Sequence, residues 1–312
     1  MACDTVDSSC AWYGGMAMIS RFLRRFFYCI FLALLFLPTC GCDSLFFYPK
    51  KQLYDNVIAQ SFSPKDISFI TADKITLHGW WFDTQPPARG TILVLHGNAE
   101  NLSTHVNGVL WLIKEGFNIF IFDYRGFGRS QGSPSIAGVH RDAQAALQTA
   151  LTLSGVAGGR VAVLGQSIGG AIAIYMVAHA PDKSRIAAVL VDSAFASYRL
   201  IAREKLAGFF LTWPFQYPLS YLVSDSYSPI RWIKDVSPVP LMIIHGRNDP
   251  VVPLEHGEML YNAALTPKEF LITAEPGHIQ SFADTVARNE AARFFSDHLE
   301  LAKKAYPQPV AP

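Results

Sequence analysis

Short, nearly continuous runs of aliphatic and β-branched residues, separated by helical stretches, most strongly restrict the fold of this chain. Five such runs occupy residues 91–95, 118–122, 161–164, 187–191 and 241–244. A strand that is apolar on both sides is typically buried on both faces of a sheet. Helical patterns lie between these runs, or follow them, at residues 103–114, 137–153, 169–179 and 256–264. This alternation predicts an α/β fold with a mostly parallel sheet flanked by helices.

The two ends of the domain have their own patterns. Residues 66–71 and 75–82 alternate polar and apolar side chains around a turn at 72–74, which predicts an antiparallel hairpin. Residues 268–273 are predicted as the last strand and residues 279–304 as a long closing helix. Ligands of such sheets bind beyond the carboxyl ends of the strands, so we expect functional residues in the loops that follow the apolar runs.

A G-x-S-x-G pentapeptide stands at residues 165–169, between the apolar run 161–164 and a helical stretch. In that context Ser167 is expected on a sharp, strained turn that exposes its hydroxyl at the N-terminus of a helix. The flanking glycines allow the strand and the helix to approach closely. The pattern therefore predicts a nucleophilic serine.

Two further loops supply partners for such a serine. Asp249 and His278 each follow a predicted strand, and the chain order Ser, Asp, His suits this kind of scaffold. We expect His278 to exchange the proton of Ser167 and Asp249 to orient the imidazole. Asp192 also follows a strand and is a rival for the acid, although the Gly-x-x-Asp-Pro setting favours Asp249.

Taken with these residues, the sequence resembles the α/β-hydrolase family, in particular its small esterases and its serine-aminopeptidase-like branch. The resemblance runs from about residue 61 to the end of the chain. It implies an α/β-hydrolase fold, and an oxyanion hole formed by the backbone amides of Asn98 and Ile168. It also implies supporting roles for His96, for the loop 123–130 and for His245, which would shape the Asp249 loop.

An insertion at about residues 195–236, between the sixth and seventh strands of the predicted sheet, resembles the cap of this family. Its aromatic side chains indicate an apolar acyl or aryl pocket, with four substrate-binding candidates: Phe209, Phe210, Trp213 and Phe215. The alternative is that these aromatic rings pack the cap onto the sheet. No pair of acidic residues stands out in the cap to bind a free amino group, which favours an ester over a peptide substrate.

The N-terminal segment is predicted to be a targeting signal rather than part of the folded domain. Arginines at 21, 24 and 25 precede an apolar run at residues 26–37, which is shorter than the ~20 residues of a spanning helix. The following residues resemble a bacterial lipobox, which makes Cys42, or alternatively Cys40, the lipidation site. Met16 or Met18 is a candidate true start.

These signals divide the chain into a signal segment (1–42), a linker (43–60), the hydrolase domain (61–304) and a tail (305–312). We expect the domain to be tethered to a membrane and to face the periplasm or the exterior of a bacterial cell. An uncleaved signal anchor is the alternative to lipidation.

Composition excludes several other classes. With a formal net charge of +1, we expect no broad electrostatic attraction to nucleic acid. All five cysteines lie within residues 3–42, so the domain contains neither a disulfide framework nor a cysteine metal site. Without a His-x-x-x-His pair we assign no metal, and the chemistry needs no cofactor.

The sequence thus predicts a serine hydrolase that cleaves a small-molecule carboxylic ester through an acyl-serine intermediate. Two alternatives stay open. One is a peptidase or amidase with the same three residues, and the other is a membrane-tethered binding lipoprotein without turnover.

Overall fold

A computed structural model describes residues 46–153, 160–274 and 277–305 of the chain. The predicted signal segment, the candidate lipidation sites Cys40 and Cys42, and the tail beyond residue 305 lie outside the described residues. Within the described part of the chain, no helix combines the length and the apolar character that a membrane span requires.

Eight strands form one sheet around which the domain is built. In chain order they are β1 (Lys65–Ile70), β2 (Thr76–Phe82), β3 (Gly90–Leu95), β4 (Phe117–Asp123), β5 (Val161–Gln166), β6 (Ile186–Asp192), β7 (Leu241–Gly246) and β8 (Lys268–Thr273). Their spatial order is β8-β7-β6-β5-β3-β4-β2-β1. Neighbours pair in parallel, except that β2 pairs antiparallel with both β1 and β4. The predicted hairpin and the mostly parallel sheet are confirmed.

Helices cover both faces of this sheet. They are α1 (Val57–Gln60), α2 (Leu102–His105), α3 (Trp111–Lys114), α4 (Ile136–Leu153), α5 (Ile168–Ala178), α6 (Tyr198–Ala207), α7 (Gln216–Ser220), α8 (Pro229–Trp232), α9 (Leu254–Ala263) and α10 (Thr285–Ala305). Buried side chains of α4, α5 and α9 form one apolar layer, and those of α2, α3 and α10 form the other. Strands such as β3 and β5 are buried along their whole length, which explains their lack of polar alternation.

Two predicted helices differ from the structure. Residues 103–114 form α2, a 3-10 turn at Val106–Gly108 and then α3, rather than one helix. The closing helix begins at Thr285 instead of residue 279, after a 3-10 turn at Ser281–Ala283. The Asp284 carboxylate accepts a hydrogen bond from the amide of Val286 at 2.8 Å and so caps the start of α10.

The described part of the expected linker packs on the domain. Phe47 is buried, with its ring 6.4 Å from that of Phe127, because an apolar side chain is stabilised by leaving water. The bridge Tyr48–Pro49 pairs in parallel with Ala99–Glu100. The chain is therefore held against the loop after β3 before α1 begins.

Candidate active site

Ser167 stands at the turn between β5 and α5, as the pentapeptide predicts. Its backbone has φ 55° and ψ −121°, a conformation that non-glycine residues seldom adopt. A Cβ at position 169 would lie 2.1 Å from the carbonyl oxygen of Leu95, and one at 165 would lie 2.6 Å from that of Gly169. Both glycines are required sterically, since only their missing side chains let strand and helix meet so closely.

The structure brings Ser167, His278 and Asp249 into one hydrogen-bonded line. His278 Nε2 lies 2.8 Å from Ser167 Oγ, and His278 Nδ1 lies 2.8 Å from Asp249 Oδ2. Because a carboxylate only accepts, Nδ1 carries the proton and Nε2 is left to accept from the serine hydroxyl. This tautomer is the one in which imidazole can take a proton from Ser167.

Asp249 is held as a carboxylate by its surroundings. Burial raises the pKa of its carboxyl, but hydrogen bonds from His278 and from the Val251 and Val252 amides outweigh burial and lower the pKa below its ordinary value. His245 donates from Nε2 to the Val252 carbonyl oxygen at 2.9 Å and stabilises the same loop. Its predicted role in shaping that loop is confirmed.

Asp192, the rival acid, serves another part of the site. It is fully buried, and its carboxylate accepts from the hydroxyls of Ser281 at 2.7 Å and Ser193 at 3.2 Å. The Ser193 hydroxyl in turn accepts a hydrogen bond, at 3.4 Å, from the amide of Ile279, the residue that follows His278. Burial raises the pKa of Asp192 against these hydrogen bonds. The residues that support the histidine loop were missed by sequence reasoning, because Asp192 and Ser281 are 89 positions apart.

The loop after β3 carries Asn98, one of the two predicted oxyanion-hole residues. The Asn98 carbonyl oxygen accepts from the amide of Tyr48 at 2.8 Å. His96 is buried, and its ring stacks on His105 at 5.0 Å, while His105 Nε2 donates to the Ala99 carbonyl oxygen at 3.0 Å. Burial and the adjacent His96 lower the pKa of His105 to about 4, so its ring is neutral at pH 7. These contacts hold the loop in place from both sides.

Ile168, the other predicted oxyanion-hole residue, is the first residue of α5. Amides in the first turn of a helix have no acceptor within that helix and point toward its N-terminal end. Ser167 directly precedes them, so the position suits an anion that develops on a carbonyl attacked by Ser167. The assignment of both amides stays a prediction.

The loop after β4 is tied to the rest of the domain by Arg125. Its guanidinium bonds the carboxylate of Asp142 at 2.7 Å and that of Asp73 at 2.9 Å. Bidentate arginine–carboxylate contacts are strong and directional. This network joins the β1–β2 turn to α4, in keeping with the supporting role implied for residues 123–130.

The cap between β6 and β7 contains α6, α7, α8 and 3-10 turns at Trp213–Phe215 and Ile233–Val236. Glu204 on α6 accepts from His256 Nε2 at 2.9 Å, and His256 Nδ1 accepts from the Ala196 amide at 2.9 Å. Lys205 Nζ donates to the Val251 carbonyl oxygen at 2.6 Å. The first cap helix is thus attached to the loop that carries Asp249. No sequence pattern indicates the His256–Glu204 pair, whose members are 52 positions apart.

The four cap residues predicted to bind substrate are all exposed: Phe209 by 58%, Phe210 by 86%, Trp213 by 60% and Phe215 by 46%. They do not pack the cap onto the sheet, which was the alternative. That task falls to other cap side chains that are buried in the core: Tyr198, Ile201, Val223, Ile233 and Val236. Across residues 46–153, 160–274 and 277–305, no group of three or more His, Cys, Asp or Glu side chains is placed to hold a metal ion.

A protein-family model described as serine aminopeptidase, S33, matches residues 86–219 of the chain. The uncharacterized protein YfhR of Escherichia coli K12 is 39% identical over 245 residues, which make up 77% of this chain and 81% of YfhR. The α/β-hydrolase domain-containing protein WAV2 of Arabidopsis thaliana is 32% identical over 64% of this chain and 66% of WAV2. Among solved structures, the Pyrococcus furiosus esterase Pf2001 matches with a TM-score of 0.63 and 22% identity, over 81% of this chain and 98% of the esterase. At that identity the likeness is one of fold.

Proposed function

This chain belongs to the α/β-hydrolase family and has its fold, and on that premise we propose that it is a serine esterase. It cleaves carboxylic esters with an apolar acyl or aryl group through an acyl-Ser167 intermediate. The observation that carries this function is the hydrogen-bonded line from Ser167 through His278 to Asp249, with both distances at 2.8 Å. A binding lipoprotein would have no need of these three side chains in this hydrogen-bonded arrangement.

The reaction begins when Ser167 Oγ attacks the ester carbonyl carbon while His278 Nε2 accepts the hydroxyl proton. The carbonyl π electrons move to oxygen, and the amides of Asn98 and Ile168 stabilise that oxyanion. Collapse breaks the bond to the leaving alkoxide, which takes the proton from His278. Asp249 keeps the other imidazole proton in place throughout and stabilises the imidazolium that forms.

A water molecule then attacks the acyl carbon and gives its proton to His278 Nε2. The second tetrahedral intermediate collapses by breaking the bond to Ser167 Oγ, which recovers its proton from His278 and releases the carboxylic acid. His278 Nε2 carries the transferred proton in both halves of the reaction, so hydrolysis by Ser167, His278 and Asp249 needs no cofactor.

The cap supports an ester rather than a peptide substrate. An aminopeptidase needs a carboxylate to bind the free α-amino group of its substrate, since an ammonium ion requires a charged or strongly polar partner when it leaves water. In the cap, Glu204 is bonded to His256, and Asp225 is bonded to the hydroxyls of Ser197 and Ser228. Between these two acids the sequence carries no acidic residue, and the third acid of the cap, Asp235, is exposed in the 3-10 turn at Ile233–Val236.

A peptidase is the second candidate, because the matching family model is described as serine aminopeptidase. The two functions share every catalytic step and differ in the leaving group. Turnover of p-nitrophenyl acyl esters and of aminoacyl anilides at equal concentration separates them. We expect the esters to be cleaved faster, and faster cleavage of the anilides would reverse the assignment.

A fluorophosphonate probe tests the serine chemistry directly. We expect one label on wild-type protein and none on Ser167→Ala, with ester turnover falling by about 10³-fold or more in the variant. An unlabelled wild type would rule out the hydrolase. Labelling of both proteins would place the nucleophile elsewhere.

We also propose that the domain is tethered to a bacterial membrane, facing the periplasm or the exterior. This rests on the apolar run at 26–37 and on the lipobox-like residues that end at Cys42, with Cys40 as the other candidate. Mass spectrometry of the mature N-terminus is the test. We expect a lipid-modified cysteine, whereas an unmodified Met would contradict lipidation.

A further inference from the structure

We propose that the cap carries a second interaction surface, which docks on an anionic lipid bilayer. The surface, here called the aromatic cap patch, consists of Phe209, Phe210, Leu211, Trp213, Tyr217 and Tyr221. Each of these side chains is between 58% and 86% exposed. Exposed apolar side chains that lie this close together in the sequence indicate a site of contact with another phase or protein, since a monomer in water gains nothing from exposing them.

The stretch of sequence that contains the patch carries no charged residue. From residue 206 to residue 224 there is no Asp, Glu, Lys, Arg or His, although 16% of the whole chain is charged. Exposed helices and turns normally carry charged side chains on their solvent face. A charge-free stretch that is also exposed therefore indicates that its exposed side contacts something other than water.

Two half-buried arginines border the patch. The Arg199 guanidinium lies 4.9 Å from the ring centroid of Tyr221, and that of Arg203 lies 5.2 Å from the ring of Tyr217. The neighbouring acids are occupied within the protein, Glu204 by His256 and Asp225 by serine hydroxyls. A basic rim around an apolar centre suits anionic headgroups around acyl chains.

The aromatic composition of the patch fits the same partner. Tryptophan and tyrosine are enriched where membrane and water meet, because the ring enters the apolar region and the polar edge stays hydrated. A second copy of this chain is a poorer occupant. Two such patches facing each other would bring the arginines of both rims together, and like charges across an interface disfavour association.

The path of the chain supports docking on the cap side. The ring of Phe46 packs at 5.3 Å against Tyr198, the first residue of the first cap helix. Three residues separate Cys42, the proposed lipidation site, from Phe46, and such a stretch spans at most roughly 15 Å when extended. A membrane-tethered chain would thus reach the domain beside the cap. The charge-free stretch and the basic rim argue for docking whether or not Ser167 reacts.

Tryptophan quenching by brominated lipid tests this docking on the full chain. The protein is reconstituted into vesicles of phosphatidylcholine and phosphatidylglycerol whose acyl chains are dibrominated. We expect Trp213→Phe to lower the quenchable fraction of fluorescence relative to wild type, since bromine quenches only rings that reach the acyl chains. Trp111→Phe is the matched control, because Trp111 packs against the other apolar layer, and the quenchable fraction of this variant should not fall below that of wild type.

The basic rim gives a second readout. Omitting phosphatidylglycerol, or introducing Arg199→Gln together with Arg203→Gln, should reduce the quenching that is due to Trp213. Equal quenchable fractions in wild type and Trp213→Phe would contradict docking. Cap-to-cap cross-links between copies, with Trp213 unquenched, would instead identify a second copy of the chain as the occupant.

Discussion

The carboxyl edge of the sheet and the aromatic cap patch differ in the polarity and the burial of their side chains. At the sheet edge, Ser167, His278 and Asp249 are polar, mostly buried and bonded to one another. On the cap, side chains such as Phe210 and Trp213 are apolar and exposed. The first region meets its chemical needs within the protein, whereas the second leaves apolar area for something outside it.

The sheet edge therefore positions the proposed catalytic groups, whereas the aromatic cap patch is available to recognise a partner. Buried hydrogen bonds hold the proposed catalytic groups in one geometry before substrate arrives, which is what electrostatic stabilisation of a transition state requires. The side chains of the aromatic cap patch are exposed, so they can contact a surface outside the protein. Changes at the sheet edge should therefore alter rates, and changes on the cap face should alter location.

The largest expected effect separates the two acids at the sheet edge. Asp249→Asn removes the negative charge and introduces an amide NH2 group that can donate to His278 Nδ1 in the wrong tautomer, and we expect kcat to fall by about 10³- to 10⁴-fold, with a changed pH–rate profile. Asp192→Asn weakens only the support of the histidine loop, and a displacement of that kind lowers kcat by about 10²-fold or less. Steady-state ester hydrolysis measured across pH is the test. An equal loss in both variants would make Asp192 a partner of the histidine.

A pair of phenylalanines compares the inside and the outside of the cap region. Phe195→Ala removes a buried ring and should lower the free energy of unfolding by about 3–5 kcal/mol. Phe210→Ala removes an exposed ring and should change it by less than about 0.5 kcal/mol. Chemical denaturation of both variants checks this contrast. A large loss of stability in Phe210→Ala would mean that the patch is packed against the domain.

A smaller effect concerns the inner side of the cap at acidic pH. The buried ring of His140 stacks at 4.6 Å on Tyr227 of the cap, and burial lowers the pKa of His140 from 6.5 to about 3. The unfolded chain binds a proton below pH 6.5 that the folded protein does not, so stability falls as the pH falls toward 3. Between pH 7 and pH 5 this amounts to about 2 kcal/mol.

Denaturation of His140→Gln at both pH values isolates that contribution. The loss of unfolding free energy between pH 7 and pH 5 should shrink by about 2 kcal/mol in this variant. His179→Gln, at an exposed histidine whose charge also lowers the pKa of His140, should change the pH dependence much less than His140→Gln does. An undiminished pH dependence in His140→Gln would show that other groups cause the acid sensitivity.

Local patterns were sufficient for the strands and for the turn at Ser167. Continuous apolar runs predicted the strands to within a few residues, because burial on both faces leaves no room for polar side chains. Helix boundaries were less secure, since the 3-10 turn at Val106–Gly108 and the cap at Asp284 depend on local hydrogen bonds. The order of Ser167, Asp249 and His278 along the chain was also visible.

Contacts between distant residues were not visible in the same way. Neither periodicity nor spacing indicates that Glu204 meets His256, or that Asp192 receives the hydroxyl of Ser281. In the sequence, Glu204 has no distinguishing setting, and Asp192 is a rival for the catalytic acid. Only their burial and their partners assign Glu204 to the attachment of the cap and Asp192 to the histidine loop.

By itself, the sequence determined the buried strands, the glycines around Ser167 and the loops in which the reacting groups lie, because short-range sterics and burial act on neighbouring residues. Tertiary structure alone decided that Asp249 rather than Asp192 bonds His278, and that the cap aromatics are exposed. Hydrogen bonding and solvent exposure are properties of groups that meet in space, and the order of residues along a chain does not specify those meetings.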